Sequence, residues 1–312
     1  MTSRQKWNAL GASASWVLGA LFIVACMEEG PPGEEDSVQT PQVSKGMITA
    51  SFNRYMETGT DDPFEQFTLT GVFARYSAGD VSTGGKLWDD TLTETDIGLD
   101  ACTRPSPVLD QVKFQQTRSK SPIELLDVGD LSVTFANLQK PIPTRTFPDL
   151  LKVVVGVMYS ADDTQGVVFS PGETYDVRAA GTEKVSRFRA VLEAPEDLGE
   201  VKINDTVPSE ETPVLTRGRS VELTWSGDGY GDEVIATLSW TSMGSPWSIT
   251  CRMRDDGRFV IPSAITAELP DSLTSSDEEI QLKRVRQVAF RSPDLSSGSF
   301  RFIVSTTSPV AF

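Results

Sequence analysis

The sequence predicts an all-β protein with two tandem β-sandwich domains, and three observations favour this class. Apolar and polar residues alternate with a period of two, as in residues 66–76, where Phe67, Leu69 and Phe73 share one parity. Clusters of glycine, proline and aspartate separate such stretches. A sustained period of 3.6 residues, which would indicate amphipathic helices, is not found.

The N-terminal sandwich is expected at residues 46–195. Turn sequences at residues 127–130 and 170–173 separate its strands. The candidate strands are residues 47–55, 66–76, 112–117, 131–136, 152–159, 167–169, 175–179 and 185–193.

The C-terminal sandwich is expected at residues 196–312, after a boundary sequence at residues 194–197. Its strands follow one another at short spacing, which is typical of an immunoglobulin-like domain. They are residues 201–203, 221–225, 234–240, 247–253, 259–261, 280–289 and 300–305. The alternation places these side chains inward: Val221, Leu223, Trp225, Val234, Ala236, Leu238, Trp240, Ile249, Cys251 and Met253.

Residues 1–25 have the parts of a secretory signal peptide. Arg4 and Lys6 supply a positive start, and the apolar run at residues 16–25 is shorter than the about 20 residues that span a bilayer. Residues 26–45 follow, and their acidic, glycine- and proline-rich composition predicts a disordered tether.

The run LFIVAC at residues 21–26 resembles a bacterial lipobox, with Ile23 at the −3 position and Cys26 after the small residue Ala25. The resemblance implies cleavage before Cys26 and acylation, palmitate included, of that cysteine. Several acyl chains at about 0.8 kcal/mol per buried CH₂ anchor a protein permanently. Because Met27 is not the aspartate that retains lipoproteins at an inner membrane, the resemblance favours the outer membrane, facing the periplasm or the cell surface. The alternatives are an uncleaved anchor helix and ordinary secretion.

The body of the chain also resembles a known group. Residues 221–227, Cys251 and residues 256–262, together with residues 171–177 in the first half, are similar to lipoproteins common in myxobacteria and their relatives. The resemblance implies a β-sandwich ectodomain on an envelope lipoprotein. It supplies no catalytic residue.

Composition narrows the partners and the chemistry. The formal net charge is −16, which disfavours nucleic acid and anionic lipid surfaces as partners. The chain has no histidine, which excludes Ser-His-Asp and Cys-His catalysis and histidine-ligated zinc. We therefore expect no enzyme activity and no cofactor, with calcium as the one exception considered below.

With Cys26 lipidated, Cys102 and Cys251 are left. An oxidising envelope permits a disulfide between them, which would clamp the two halves of the chain together. The alternative is two separately buried thiols, because a free cysteine behaves as a small apolar residue.

The loop at residues 226–233, SGDGYGDE, is the best candidate for a functional site. Asp228, Asp232 and Glu233 can offer oxygen ligands to Ca²⁺, and the glycines permit tight curvature. The ligand spacing is not that of an EF-hand. A plain hairpin connection needs the same glycines, so both interpretations stay open.

Carboxylates and tryptophans supply a second hypothesis, a glycan-binding or glycan-cleaving lipoprotein. Glycosidases use two carboxylates, and exposed tryptophans stack on sugars. The candidates are Trp88, Asp89, Asp90, Glu94, Asp96, Trp225, Trp240 and Trp247. The simpler interpretation is a solvated acidic loop and core tryptophans. The first hypothesis remains a non-catalytic binding or structural module of the envelope, with a protein or glycan partner.

Overall fold

The computed structural model describes residues 41–59, 63–77, 97–107, 123–147, 154–228, 231–242, 244–269 and 278–312. These residues belong to one compact unit, Thr40–Phe312. Nearly all of their regular structure is strand, so the all-β prediction is confirmed. The short helix α1 (Ser263–Thr266) lies where one turn separates two strands. In the described part, no helix is long and apolar enough to cross a membrane.

Strand β1 begins earlier than the sequence predicts. Residues 42–45 were assigned to the tether, but they form the start of β1 and pair with the end of β2. The first half contributes β1 (Gln42–Tyr55), β2 (Phe64–Ser77), β3 (Ala101–Cys102), β4 (Ser106–Pro107), β5 (Ile123–Leu125), β6 (Leu131–Phe135), β7 (Leu138–Ile142), β8 (Thr144–Phe147), β9 (Val154–Asp162), β10 (Thr174–Ala179) and β11 (Phe188–Glu193).

The second half follows the predicted strands closely, and the residues with predicted inward parity are all buried. Its strands are β12 (Lys202–Ile203), β13 (Val221–Thr224), β14 (Glu233–Ser242), β15 (Ser245–Arg254), β16 (Arg258–Ile261), β17 (Glu279–Phe290) and β18 (Ser297–Pro309).

One large sheet runs through the whole unit. Its eleven strands lie in the order β3-β15-β14-β17-β18-β1-β2-β5-β9-β8, with β4 also on β15. Strand β18 pairs with β1 in parallel, so the two ends of the described chain are neighbours. The order is β11-β10-β6-β7 in a four-stranded sheet and β12-β13-β16 in a three-stranded sheet. Each small sheet packs on the large one in a sandwich-like manner.

Two hydrophobic cores lie between these layers. The first is enclosed by the four-stranded sheet and by β1, β2, β9 and the far end of β17 and β18. The second is enclosed by the three-stranded sheet and by β14, β15 and the near end of β17. The predicted boundary at residues 195 and 196 therefore does not separate two independent domains. Phe300 and Phe302 of the C-terminal half fill the first core, because β18 is long enough to serve both.

Polar residues mark the passage of β17 and β18 from one core to the other. On β17, Leu282 belongs to the second core and Phe290 to the first, and Arg284 lies between them. On β18, the buried polar residues of this zone are Ser305, Thr306, Thr307 and Ser308. We call this zone the junction.

A disulfide joins Cys102 to Cys251, with an S–S distance of 2.04 Å. The bond connects directly paired residues of β3 and β15. Residues 97–107 thereby form a strap along the outer edge of β15. Backbone contacts reinforce it, since Thr103 N donates to Thr250 O at 2.8 Å and Arg252 Nη1 donates to Ile97 O at 3.0 Å.

Candidate functional site

The junction contains a buried ion pair between Arg284 and Asp255. Both side chains are almost fully buried, with 0% and 1% of their surface exposed. Arg284 Nε donates to Asp255 Oδ2 at 2.6 Å, and Nη2 donates to Oδ1 at 2.9 Å. Trp225 Nε1 also donates to Asp255 Oδ1, at 2.7 Å. The carboxylate is therefore held by charge-assisted hydrogen bonds that partly offset its desolvation.

The remaining donors of Arg284 bind main-chain oxygens. Nη1 donates to Glu196 O at 2.7 Å and to Asp197 O at 3.0 Å, and Nη2 donates to Ser226 O as well as to Asp255. The chain segment that connects β11 to β12 is thus fixed against β17. Arg284 acts as a fastener between the chain segment entering the second core and the strand leaving it.

A second arginine, two positions along β17, binds the glycine-rich loop. Arg286 Nε donates to both carboxylate oxygens of Asp232, at 3.0 Å each, and Nη2 donates to Asp232 Oδ2 at 2.7 Å. The same Nη2 donates to Asp228 Oδ2 at 2.8 Å. Burial and the neighbouring Asp228 raise the pKa of Asp232 above its ordinary value, although Arg286 acts in the opposite direction.

The structure brings together two of the three predicted calcium ligands. Asp228 and Asp232 lie side by side, and Asp255 joins them, with one oxygen of each within 4.8 Å of the others. Glu233 is excluded, because it starts β14 and binds Arg252 Nε at 2.9 Å through Oε2. The predicted ligand set is corrected accordingly, with Asp255 in place of Glu233.

The sequence carries a signal for Asp255 that the prediction did not use. The inward parity of β15 runs through Cys251 and Met253 to residue 255, and that of β17 runs through Ile280 and Leu282 to residue 284. A carboxylate and a guanidinium at the ends of two inward rows indicate a buried pair, because neither is tolerated alone in a core.

The residues of the glycan hypothesis are dispersed where they can be seen. Trp225 and Trp240 are buried in the second core, and Trp247 packs against it. Trp88, Asp89, Asp90, Glu94 and Asp96 lie outside the described residues, as does Cys26.

A shallow groove lies on the surface beside Arg54. Arg54 donates to both oxygens of Asp197, at 2.9 and 2.8 Å, and its Nε donates to Glu65 at 2.8 Å. The groove encloses about 200 Å³ and is lined also by Met56, Val201 and Thr306. Small-molecule pockets usually enclose about 300–1,000 Å³, so this groove is small for that purpose.

No protein-family model and no curated protein matches the chain. Among solved structures, the chain is similar to the Fcho1 mu homology domain of Danio rerio with bound Eps15 peptide. The TM-score is 0.26 at 8% identity, covering 88% of this chain and 99% of that one. It is also similar to the yeast delta-COP-I mu-homology domain, at a TM-score of 0.21 and 12% identity, covering 85% and 95%. TM-scores this low carry no argument about ligand or activity.

Proposed function

We propose that this protein is a lipid-anchored module of the bacterial cell envelope that binds or supports a partner without catalysing a reaction. The lipobox-like run that ends at Cys26 carries the proposal. Its likeness to bacterial signals favours the outer membrane as the address, with the β-rich unit held off the membrane by the acidic segment at residues 27–41.

The chemistry of the junction supports a non-catalytic role. Its ionisable side chains are bonded to one another and to main-chain oxygens, which suits the holding of segments in place. A catalytic group needs to reach a substrate, and Arg284 and Asp255 are shielded from solvent by the two cores.

Exposed aromatic residues at one end of the large sheet support a binding role. Tyr55 and Phe64 face each other across β1 and β2 with ring centroids 5.9 Å apart, and 39% and 63% of their surfaces are exposed. Aromatic side chains are enriched at protein interfaces, because they bury a large area at low conformational cost.

The anchoring is tested by labelling cells with a palmitate analogue and fractionating their membranes. We expect wild-type protein to carry the label and to stay with the outer membrane, and Cys26→Ser to lose both properties. The matched control is Cys102→Ser/Cys251→Ser, which removes the other cysteines and should keep the label. A Cys26→Ser protein that stays membrane-bound would overturn the proposal.

The face of the membrane is tested by protease treatment of intact cells. Digestion of the β-rich unit in intact cells would indicate a surface module with an external ligand. Protection until the outer membrane is opened would indicate a periplasmic partner.

The alternative is a glycan-binding or glycan-cleaving lipoprotein. It depends on Trp88 and its acidic neighbours, because Trp225 and Trp240 are buried. Sedimentation with insoluble polysaccharide should then be lost in Trp88→Ala and kept in Trp247→Ala. Sugar release abolished by Asp89→Asn would make the protein a hydrolase and overturn the non-catalytic proposal.

A further inference from the structure

The acidic cluster of Asp228, Asp232 and Asp255 contains a carboxylate oxygen that its surroundings do not satisfy. The side chain of Asp228 is fully buried, with 0% of its surface exposed. Its Oδ2 accepts from Arg286 Nη2 at 2.8 Å and from Glu196 N at 3.4 Å. Its Oδ1 is buried and has no hydrogen-bond partner in the described part of the chain. A buried carboxylate oxygen without a partner is costly, so its position indicates a missing positively charged ligand.

The charges of the cluster lead to the same conclusion. Three carboxylates face two guanidinium groups, those of Arg284 and Arg286, and one negative charge is left uncompensated. The remaining contact of the cluster is Trp225 Nε1, which is neutral. Glu193 adds further negative charge at 3.6 Å from Arg286. A buried site of this kind attracts a cation.

We propose that Asp228, Asp232 and Asp255 bind one hard cation of the Ca²⁺ class, with Asp228 Oδ1 as a ligand. This site is independent of the proposed envelope function and of the anchor at Cys26. It differs from the site that the sequence predicts, because Asp255 replaces Glu233.

The spacing of the oxygens favours Ca²⁺ over Mg²⁺. One oxygen of each carboxylate lies within 4.8 Å of the others. An ion midway between two oxygens at that separation is about 2.4 Å from each, which falls in the Ca²⁺ range of about 2.3–2.6 Å and exceeds the about 2.0–2.1 Å of Mg²⁺. Carboxylate oxygens are also the ligands that such hard cations prefer.

The two arginines set the strength of the site. Arg286 binds both oxygens of Asp232, and Arg284 binds both oxygens of Asp255, so these carboxylates share their charge with guanidinium groups. A cation therefore gains less than it would from three unpaired carboxylates. We expect a dissociation constant of about 10⁻⁴–10⁻³ M, the range of extracellular calcium modules.

Thermal unfolding of the purified protein, with chelator or with about 5 mM CaCl₂, tests the site. Ligand that binds only the folded state raises Tm, and the expected increase is about 3–5 °C for the wild type. Asp228→Asn should abolish the increase, because it removes the unpartnered charged oxygen and retains the shape. Glu233→Gln is the matched control in the same loop and should respond like the wild type.

Terbium luminescence gives a direct second measurement. Tb³⁺ also prefers oxygen ligands, and Trp225 donates to Asp255 at 2.7 Å, so excitation of Trp225 should sensitise an ion in the cluster. We expect luminescence that Ca²⁺ displaces in the wild type and in Glu233→Gln, with its loss in Asp228→Asn and in Asp232→Asn. The pair of variants guards against one of them failing to fold.

Three outcomes would overturn the site. Equal responses of the wild type and Asp228→Asn would show non-specific attraction to an acidic protein. A response lost in Glu233→Gln and kept in Asp228→Asn would restore the ligand set predicted from the sequence. A wild type that ignores Ca²⁺ and Tb³⁺, while Asp228→Asn unfolds at a higher temperature than the wild type, would show that Asp228 and Asp232 share a proton instead.

Discussion

The two cores are held together by different means. In the first core, Phe302 contacts Tyr175, Phe67 and Phe169, with ring centroids 5.1, 5.9 and 5.8 Å apart. The second core has no such cluster of rings among the described residues. It is bordered instead by the disulfide at Cys102 and by the Arg284–Asp255 pair.

The difference teaches how one sheet can serve two cores. Aromatic packing is strong but without strict direction, and it suits a core enclosed by long paired strands. The second core is closed by short strands such as β12 and β13, and by the strap at residues 97–107. Short strands supply few backbone hydrogen bonds, so directional fasteners hold these segments in register.

The largest expected effect is that of Arg284→Met. The substitution leaves Asp255 as an uncompensated buried charge and releases the carbonyl oxygens of Glu196 and Asp197. Breaking a buried pair in this way costs about 3–5 kcal/mol of the free energy of unfolding, measured by urea denaturation. Arg284→Met/Asp255→Asn should recover part of the loss. A single substitution that costs under about 1 kcal/mol would contradict the idea of a fastener.

Removal of the disulfide should follow in size. Cys102→Ser/Cys251→Ser releases the strap from β15, and disulfides typically contribute about 2–4 kcal/mol. We expect proteolysis within residues 97–107 to appear first, because the strap is otherwise held by only a few backbone bonds. If the strap stays protected in the double variant, these bonds suffice, and the disulfide is not a fastener of the second core.

Much of this architecture was predictable from local pattern. The inward rows of the second half, such as Val221 and Leu223 on β13, follow from period-two alternation alone. The short turn at α1 was expected within residues 263–269. Such features depend on residues close together in the chain, and the sequence displays them directly.

The sharing of one sheet by both cores was not predictable in this way. It depends on the parallel pairing of β1 with β18, which joins Lys45 to Ser297 across most of the chain. Nothing local marks such a partner. Similarly, Asp255 and Arg284 were each visible on an inward row, but only the fold shows that β15 and β17 bring them together.

Polar contacts also exist in the first core, and Tyr159→Phe measures their weight. The Tyr159 hydroxyl accepts from Val128 N at 2.9 Å and lies 2.7 Å from Asp127 Oδ1, and burial raises the pKa of this tyrosine. Loss of the hydroxyl strands a buried N–H, which costs about 1–3 kcal/mol. Tyr55→Phe, at an exposed tyrosine, is the control and should change little. A cost as large as that of Arg284→Met would erase the contrast between the cores.

The smallest expected effect belongs to an Asp–Arg group on the outer surface of the first core, the counterpart of the buried pair. Asp176 accepts from Arg178 Nη2 at 2.6 Å and from Arg189 Nε at 2.8 Å, and these arginines are 58% and 61% exposed. Burial raises the pKa of Asp176, but the two arginines more than offset this, and the net pKa is lowered. Because water screens them, Asp176→Asn should cost about 1 kcal/mol or less at neutral pH.

The pH dependence of that loss separates the two kinds of ion pair. A carboxylate whose pKa is lowered by folding stabilises the protein above its unfolded pKa of about 3.9, and this contribution disappears as the pH falls through the folded value. Wild type and Asp176→Asn should therefore differ at neutral pH and converge in acid, when their free energies of unfolding are compared. Added salt should also narrow the gap, whereas it should hardly change the cost of Arg284→Met, because a buried pair is poorly screened. Equal salt sensitivity at both sites would mean that water reaches the junction, and that burial does not distinguish the two pairs.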